Sequence, residues 1–290
     1  MKKKIRFIIN PISGIGNKEN IPQLIEQHLD LDAFDYDIAY TEYRKHAKSI
    51  AMESAQLNYD IVCAVGGDGS VHEIGTELIG TDTKLAILPV GSGNGLARHL
   101  KIPLNIKDAI LCINKNQTIK MDTVLANDKP FLNVGGYGFD AIIAKKFDTH
   151  TQRGFRGYAY LIIREFFKYN PINISIDLDG KIKTLPVVLC TVANASQFGN
   201  GFTVSPKSDV TDGKLELCLL KPFSIWSAPS ILFRFFRNSG HKSRFTEIIS
   251  FKKMTIQLSK KIAHYDGEPF DVKDELNVSV VPESLNVLVG

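Results

Sequence analysis

The sequence is short of the features that mark several protein classes. It has four cysteines, Cys63, Cys112, Cys190 and Cys218, with no CxxC pair and no histidine cluster beside them. That pattern argues against a zinc site and for buried free thiols in a reducing cytosol. No GxxxxGK[ST] stretch occurs, so this is not a P-loop nucleotide binder. No apolar run meets the roughly 20 residues that a membrane-spanning helix requires. The longest, Leu219 to Phe236, is broken by Lys221, Pro222, Pro229 and Arg234. The basic-then-apolar start, Met1 to Asn10, is too short in its apolar part for a signal peptide and reads as a first strand. The net charge of +4 is too small to argue for a nucleic-acid partner, although it would not repel anionic lipid. Repeats, low-complexity tracts and long linkers are absent from the sequence.

What is present is a globular composition, 44% hydrophobic and 23% charged, over 290 residues, enough for two ordinary domains. The first part alternates strand and helix. Ile5–Ile9, Tyr36–Thr41, Ile61–Val65 and Leu85–Val90 read as strands, with helical spacing around Leu24–Leu29 and Ala47–Ser54. Strands apolar on both faces and separated by helices imply a parallel sheet covered on both sides, an α/β doubly wound layout. From about Thr118 strand-like segments dominate: Lys120–Leu125, Phe131–Val134, Asn173–Asp179, Val187–Ala193, Lys214–Leu220, Ile248–Leu258 and Asn277–Val281. The expected organisation is a nucleotide-type α/β domain over 1–118 and a mainly antiparallel β domain over 119–283. A cleft between two packed domains is a common place for a ligand.

Gly66-Gly67-Asp68-Gly69-Ser70 follows the strand Ile61–Val65 and precedes a helix with Val71, Ile74 and Leu78 on one face. Glycines let backbone N–H groups approach an anion, and a helix N-terminus adds partial positive charge. Ser70 reads as an N-cap, with Glu73 completing a capping box. A plain strand–helix turn is the bland alternative, but the aspartate inside the glycines places a carboxylate where a phosphate-bound metal or a hydroxyl would reach it. A second loop, Pro89-Val90-Gly91-Ser92-Gly93-Asn94-Gly95, and a third, Asn10-Pro11-Ile12-Ser13-Gly14, also lie at strand ends, and Thr41 ends another strand. In open parallel sheets ligands collect at the C-terminal ends of the strands. Loops at several such ends point to one shared site.

These residues resemble the lipid kinase family that includes the diacylglycerol and sphingosine kinases. The family's NPxSG, GGDGT with a following N/H-E, and PxGTxN patterns correspond to Asn10–Gly14, Gly66–Ser70 with His72-Glu73, and Pro89–Asn94. Downstream, Gly138-Phe139-Asp140-Ala141 looks like its GxDA, Asp212-Gly213-Lys214-Leu215 like its DGxL and Asp266-Gly267-Glu268 like its late DGE. The match runs nearly end to end and in order. Ser70 replaces the usual Thr and keeps the hydroxyl. His72-Glu73 and Ser92-Gly93-Asn94 look closer to sphingosine kinases, which leaves the lipid open.

The resemblance implies an N-terminal nucleotide domain and a C-terminal β-sandwich, the fold shared with NAD kinases, with the last strand, about 284–290, returning to the first domain. It implies ATP held by Asn10–Gly14, Thr41, Gly66–Glu73 and Gly91–Asn94. It assigns the general base to the DGE motif, with Glu268 preferred, Asp266 supporting and Asp68 as rival. On an extended segment Asp266 and Glu268 would face one side. Taken alone, Asp266-Gly267 is also a strong hairpin-turn signal. Mg²⁺ is implied at Asp212, with the main-chain carbonyls of Asp209 and Lys214. Asp140 is a candidate for the lipid head group, and Arg153 and Arg156 for ATP phosphates.

A lipid substrate implies work at a membrane surface by a cytoplasmic, peripheral protein. Phe223, Ile225, Trp226, Ile231, Leu232, Phe233, Phe235 and Phe236 are crowded together, followed by Arg237, His241, Lys242 and Arg244. That composition suits an interfacial segment or a buried helix with a charged end. Exposed edges in a β domain allow a homodimer. The alternatives are an NAD kinase-like enzyme, which shares the GGDG loop, and a non-catalytic lipid- or nucleotide-binding module.

Overall fold

The computed structural model describes residues 2–11, 18–148, 164–165, 169–178, 180–258, 262–272 and 275–290. The chain divides into two compact units, one of Met1–Asp122 with Pro282–Gly290 and one of Thr123–Val281.

The first unit runs β1 (Lys3–Ile9), α1 (Ile21–His28), β2 (Phe34–Tyr40), α2 (His46–Gln56), β3 (Ile61–Gly66), α3 (Asp68–Gly75), β4 (Lys84–Pro89), α4 (Gly95–His99) and α5 (Ile106–Lys115). Its strands are parallel in the order β2-β1-β3-β4. Every residue of β3 is buried, as a strand covered on both faces requires. The chain leaves β1 to build β2 on one side and returns to build β3 on the other. That reversal opens a crevice at the carboxyl ends of β1 and β3. Arg6, inside the apolar run of β1, is paired: its guanidinium meets Asp37 of β2 in two 2.9 Å bonds and lies 4.3 Å over the Tyr59 ring. α5 is held at both ends, by the Asn105 side chain accepting from Asp108 N–H and by Asn116 in the left-handed conformation.

β5 (Thr118–Ala126) leads into the second unit. There follow β6 (Lys129–Phe131), β7 (Val134–Gly138), α6 (Phe139–Asp148), β8 (Ile172–Leu178), β9 (Lys181–Val187), β10 (Leu189–Ala193), β11 (Gln197–Gly199), β12 (Phe202–Thr203), β13 (Leu215–Leu220), α7 (Ala228–Phe236), β14 (Thr246–Phe251), β15 (Lys253–Leu258), β16 (Ile262–Tyr265), β17 (Glu268–Asp271) and β18 (Glu275–Leu288). One antiparallel sheet has the order β14-β13-β10-β7-β16-β17. A second places β15 between β8 and the first half of β18. Tyr137, Cys190, Leu217, Ile174, Ile256 and Val278 belong to one buried cluster between the two sheets of this β-sandwich.

Two sequence expectations change here. The single strand expected over Ile248–Leu258 is two strands, β14 and β15, in different sheets, with the break at Lys252; the chain turns a sandwich corner that hydrophobicity alone does not mark. Phe131–Val134 is likewise the end of β6 and the start of β7. The second half of β18 pairs parallel with β4 through Val287 opposite Leu85, within the first unit. All four cysteines are free and buried. Burial raises the Cys63 and Cys190 thiols and pushes Cys218 up to about 12, so these thiols are unreactive packing groups. Among the described residues no helix is long and apolar enough to cross a membrane.

Candidate active site

The carboxyl ends of the first unit's strands carry the loops singled out above. Gly66 lies opposite Pro89, and Val90 N–H donates to the Gly66 carbonyl at 3.0 Å, which holds the two loops side by side. Their glycines touch backbone to backbone. A Cβ on Gly91 would stand 2.3 Å from Gly67 Cα, and one on Gly67 would stand 3.1 Å from Gly91 Cα. Gly91 admits no side chain, and one at Gly67 would need the facing loop to give by a few tenths of an ångström. Asn94, with φ of +53°, closes its own loop: its Oδ1 accepts from Gly91 N–H at 3.0 Å and its Nδ2 donates to the Gly91 carbonyl at 2.8 Å. Arg98 Nε donates to the Gly93 carbonyl at 3.1 Å.

The expected cap at Ser70 is not formed. The turn through Gly66 and Gly67 is so tight that the helix begins at Asp68, with Gly67 as its N-cap and no side-chain capping bond. Ser70 is therefore buried within the first turn. The consequence favours anion binding, because the first N–H groups of α3 are left without a capping side chain. Asp68 Oδ1 accepts from Gly95 N–H at 2.6 Å, fastening α4 to α3. This carboxylate therefore has a positioning task in the loop. Thr41 is buried at the end of β2, its N–H donating to the Ile9 carbonyl at 3.0 Å. Asn10 ends β1, and Lys18 Nζ donates to its carbonyl. Burial holds the Lys18 ammonium below its ordinary value. Ser13 and Gly14 lie outside the described residues.

In the second unit Asp266 and Gly267 form the two-residue turn between β16 and β17, with φ of +49° and +90°. Both positive angles are those of a type I′ hairpin. The Asp266 carboxylate points inward. It accepts from Leu132 N–H (2.9 Å), Asn133 N–H (2.8 Å) and Val134 N–H (3.1 Å), while Asp266 N–H donates to the Val134 carbonyl. The expected extended segment with both carboxylates on one side is thus replaced by a turn that separates them. Asp266 bolts the hairpin to the start of β7. Glu268, paired across the hairpin with Tyr265, remains partly exposed.

Asp140 opens α6 and is buried. Its Oδ2 accepts from Thr191 Oγ1 at 3.0 Å and lies 3.5 Å from His264 Nε2, while Oδ1 accepts from Ala141 N–H. His264 Nδ1 accepts from Gly267 N–H at 3.3 Å. With Nδ1 an acceptor, a neutral His264 carries its proton on Nε2, toward Asp140. Gly136 leaves room for this contact, since a Cβ there would stand 1.9 Å from Asp140 Oδ2 and 2.3 Å from His264 Nε2. Asp140, read from sequence as a head-group contact, is in this structure a buried partner of His264 and Thr191. Arg153 and Arg156 lie outside the described residues.

Asp209, Asp212 and Lys214 sit on one exposed loop. Asp212 Oδ1 accepts from Lys214 N–H, and Asp209 Oδ1 from Thr211 N–H and Oγ1. Nearby Glu216 is buried against Ser208, and its carboxyl is raised by burial and by Asp212 and Asp209. No group of three or more acidic, cysteine or histidine side chains with metal-ligating geometry occurs among the described residues. An all-oxygen set of one carboxylate, carbonyls and water fits the chemistry of Mg²⁺.

Comparison with known proteins follows the same division. The diacylglycerol kinase catalytic domain matches residues 4–126, and the YegS C-terminal NAD kinase beta sandwich-like domain matches residues 134–289. The chain belongs to the YegS/diacylglycerol kinase-like family of lipid kinases. It is 28% identical to an uncharacterized protein of Synechocystis sp., covering 97% of this chain and 69% of that one. It is 28% identical to a diacylglycerol kinase of Bacillus subtilis over 76% of this chain and 74% of the other. A probable YegS-like lipid kinase of Shewanella frigidimarina is 26% identical, over 82% and 79%. The solved structure of a putative diacylglycerol kinase from Bacillus anthracis superposes with a TM-score of 0.80 at 23% identity, covering 100% of this chain and 97% of that one, which establishes the shared fold.

Lys18, Arg98 and His264 were not singled out by the sequence reading. Lys18 follows a glycine-containing loop and His264 lies two residues before the DGE turn. Their roles depend on contacts with carbonyls and with Asp140 that no local pattern encodes.

Proposed function

We propose that the protein transfers the γ-phosphate of ATP to the hydroxyl of a diacylglycerol or sphingoid-type lipid. The observation that supports this most is the N-terminus of α3, which no side chain caps, beside the interlocked Gly67 and Gly91. Backbone N–H groups there are free of Cβ obstruction, as close approach to a polyphosphate demands. Lys18 adds a cation at the end of β1, and Asn94 and Arg98 fix the second loop. In this reading Asn10, Pro11, Thr41, Gly66–Glu73 and Gly91–Asn94 contact the nucleotide.

Glu268 is the general base. It takes the proton of the lipid hydroxyl as that oxygen bonds to the γ-phosphorus; the bond from phosphorus to the bridging oxygen breaks and ADP leaves. Asp266 positions Glu268 through the turn, and His264 steadies the same turn through Gly267 N–H. Mg²⁺, when bound, neutralises phosphate charge. Asp212, with the Asp209 and Lys214 carbonyls, would hold a structural ion.

The test is transfer of label from ATP, with Mg²⁺, to diacylglycerol, sphingosine, ceramide and NAD, the lipids in mixed micelles. A labelled lipid, lost in Glu268→Gln, is expected. Label in NAD alone would move the protein to NAD kinase chemistry. No label anywhere, from protein that still binds ATP, would favour a binding module.

A further inference from the structure

α7 and the turn before it have an apolar surface that the fold does not use. A helix on a protein surface ordinarily turns a polar face outward. Here Ile231 and Phe235 face inward, into a cluster with Val134, Phe139 and Val188. Gly240 packs flat on Phe235, where a Cβ would come within 2.9 Å of the ring. Pro229, Leu232, Phe233 and Phe236, spaced i, i+3, i+4 and i+7, are exposed, Phe236 at the margin with its ring against that of Phe202. Phe233 is 61% exposed, and Trp226, on the preceding turn, is 89% exposed. The buried-helix alternative therefore accounts for one side of α7 only.

The charges around this stripe are of one sign. From Lys221 to Phe245 there are five Lys or Arg residues and no Asp or Glu. Lys221 is paired with Glu247. Arg234, Arg237, Lys242 and Arg244 make no ion pair among the described residues. The Arg237 guanidinium lies 5.4 Å from the exposed Phe233 ring, so this cation borders the apolar surface itself, and that of Arg244 lies 4.8 Å from the ring of Phe245, which packs on the inner cluster.

We propose that the outward face of Ile225–Phe236, with Arg234, Arg237, Lys242 and Arg244, docks on an anionic lipid bilayer. The proposal rests on the reading of the protein as a lipid kinase and adds the surface that meets the membrane. Bulky apolar side chains enter the boundary between headgroups and acyl chains, while arginine and lysine stay at the level of the phosphates. An indole belongs at that boundary. A second copy of the chain is the less suitable occupant, because a symmetric contact through this patch sets arginine against arginine.

Trp226 is the only tryptophan in the chain, so intrinsic tryptophan emission reads this surface alone. The experiment uses the full chain with phosphatidylcholine vesicles and with phosphatidylcholine–phosphatidylserine vesicles, neither containing a lipid with a free hydroxyl. A shift of the emission to shorter wavelength and co-sedimentation are expected with the anionic vesicles, weakening as salt is raised. Leu232→Ser with Phe233→Ser, and separately Arg237→Glu with Arg244→Glu, should each lower partitioning by at least about tenfold. Both double variants should keep the parent's melting midpoint and its activity on detergent-dispersed lipid. Unchanged emission without sedimentation, or variants that bind as the parent does, would overturn the proposal. So would a vesicle-free dimer whose emission is already shifted, since a second copy would then cover the patch. Docking without any kinase activity would remove the lipid kinase reading and leave the surface standing; kinase activity on micelles without docking would do the reverse.

Discussion

At Gly91 the close approach leaves no space for even one methyl group. The nearest atom to a new Cβ is backbone, Gly67 Cα at 2.3 Å, so Gly91→Ala must push the two loops apart. Forcing atoms into such a contact costs about 1–3 kcal/mol. The expected result is a modest fall in melting temperature together with loss of the shift that ATP produces, read by thermal denaturation with and without nucleotide. The two acidic residues of the DGE turn should separate in the same kind of measurement. Glu268→Gln should lower kcat roughly 10²–10⁴-fold with little change in stability. Asp266→Asn turns one acceptor oxygen into an NH₂ that faces backbone donors, and leaving such groups unsatisfied costs about 1–3 kcal/mol. Its melting point should fall before its chemistry can be judged. Equal stability of Asp266→Asn and the parent would refute the anchoring role.

β1, β2 and the segment between α2 and β3 are tied by Arg6, Asp37 and Tyr59. Burial pushes the Asp37 carboxyl up, but hydrogen bonds from Arg6 and Tyr59 and the Arg6 charge outweigh it and leave the group below its ordinary value of 3.8. A carboxyl lowered by folding stabilises above its unfolded pKa, and the contribution is lost as pH falls through the lower folded value. Asp37 is 44% exposed at its side chain, so screening keeps the effect to about 0.2–1 kcal/mol. Asp37→Asn should lower the urea midpoint at neutral pH and match the parent in strong acid; a difference that persists in acid would contradict the linkage. The Asp209–Lys214 loop makes a parallel case for metal. Mg²⁺ should raise the melting midpoint of the parent and not that of Asp212→Asn, and a chelator should abolish the difference.

β18 begins in the second unit and ends in the first. Leu285, in the half of β18 that lies beside β4, is 1% exposed. Leu285→Ala should cost about 2–5 kcal/mol. Because the loss falls on the first unit, limited proteolysis should cut the Met1–Asp122 part first while the sandwich persists. Simultaneous cleavage of both units would mean that they unfold as one.

The alternation of buried strands and helices, the change to strands near Thr118, and the order of the glycine and acidic motifs are properties of the sequence itself. Periodicity and short-range turn chemistry are local, and the family of the chain follows from motifs in fixed order. Tertiary structure decided what distant residues do to one another. Gly67 and Gly91 are 24 positions apart, and only the β3–β4 register presses them together. Asp68 became the fastening of α4, Asp266 a clamp on residues 132–134, and Asp140 the partner of His264, because a side chain's role is set by the donors folded around it. The same holds for α7, whose apolar composition was legible, whereas which side faces solvent was settled only once Ile231 and Phe235 met the core.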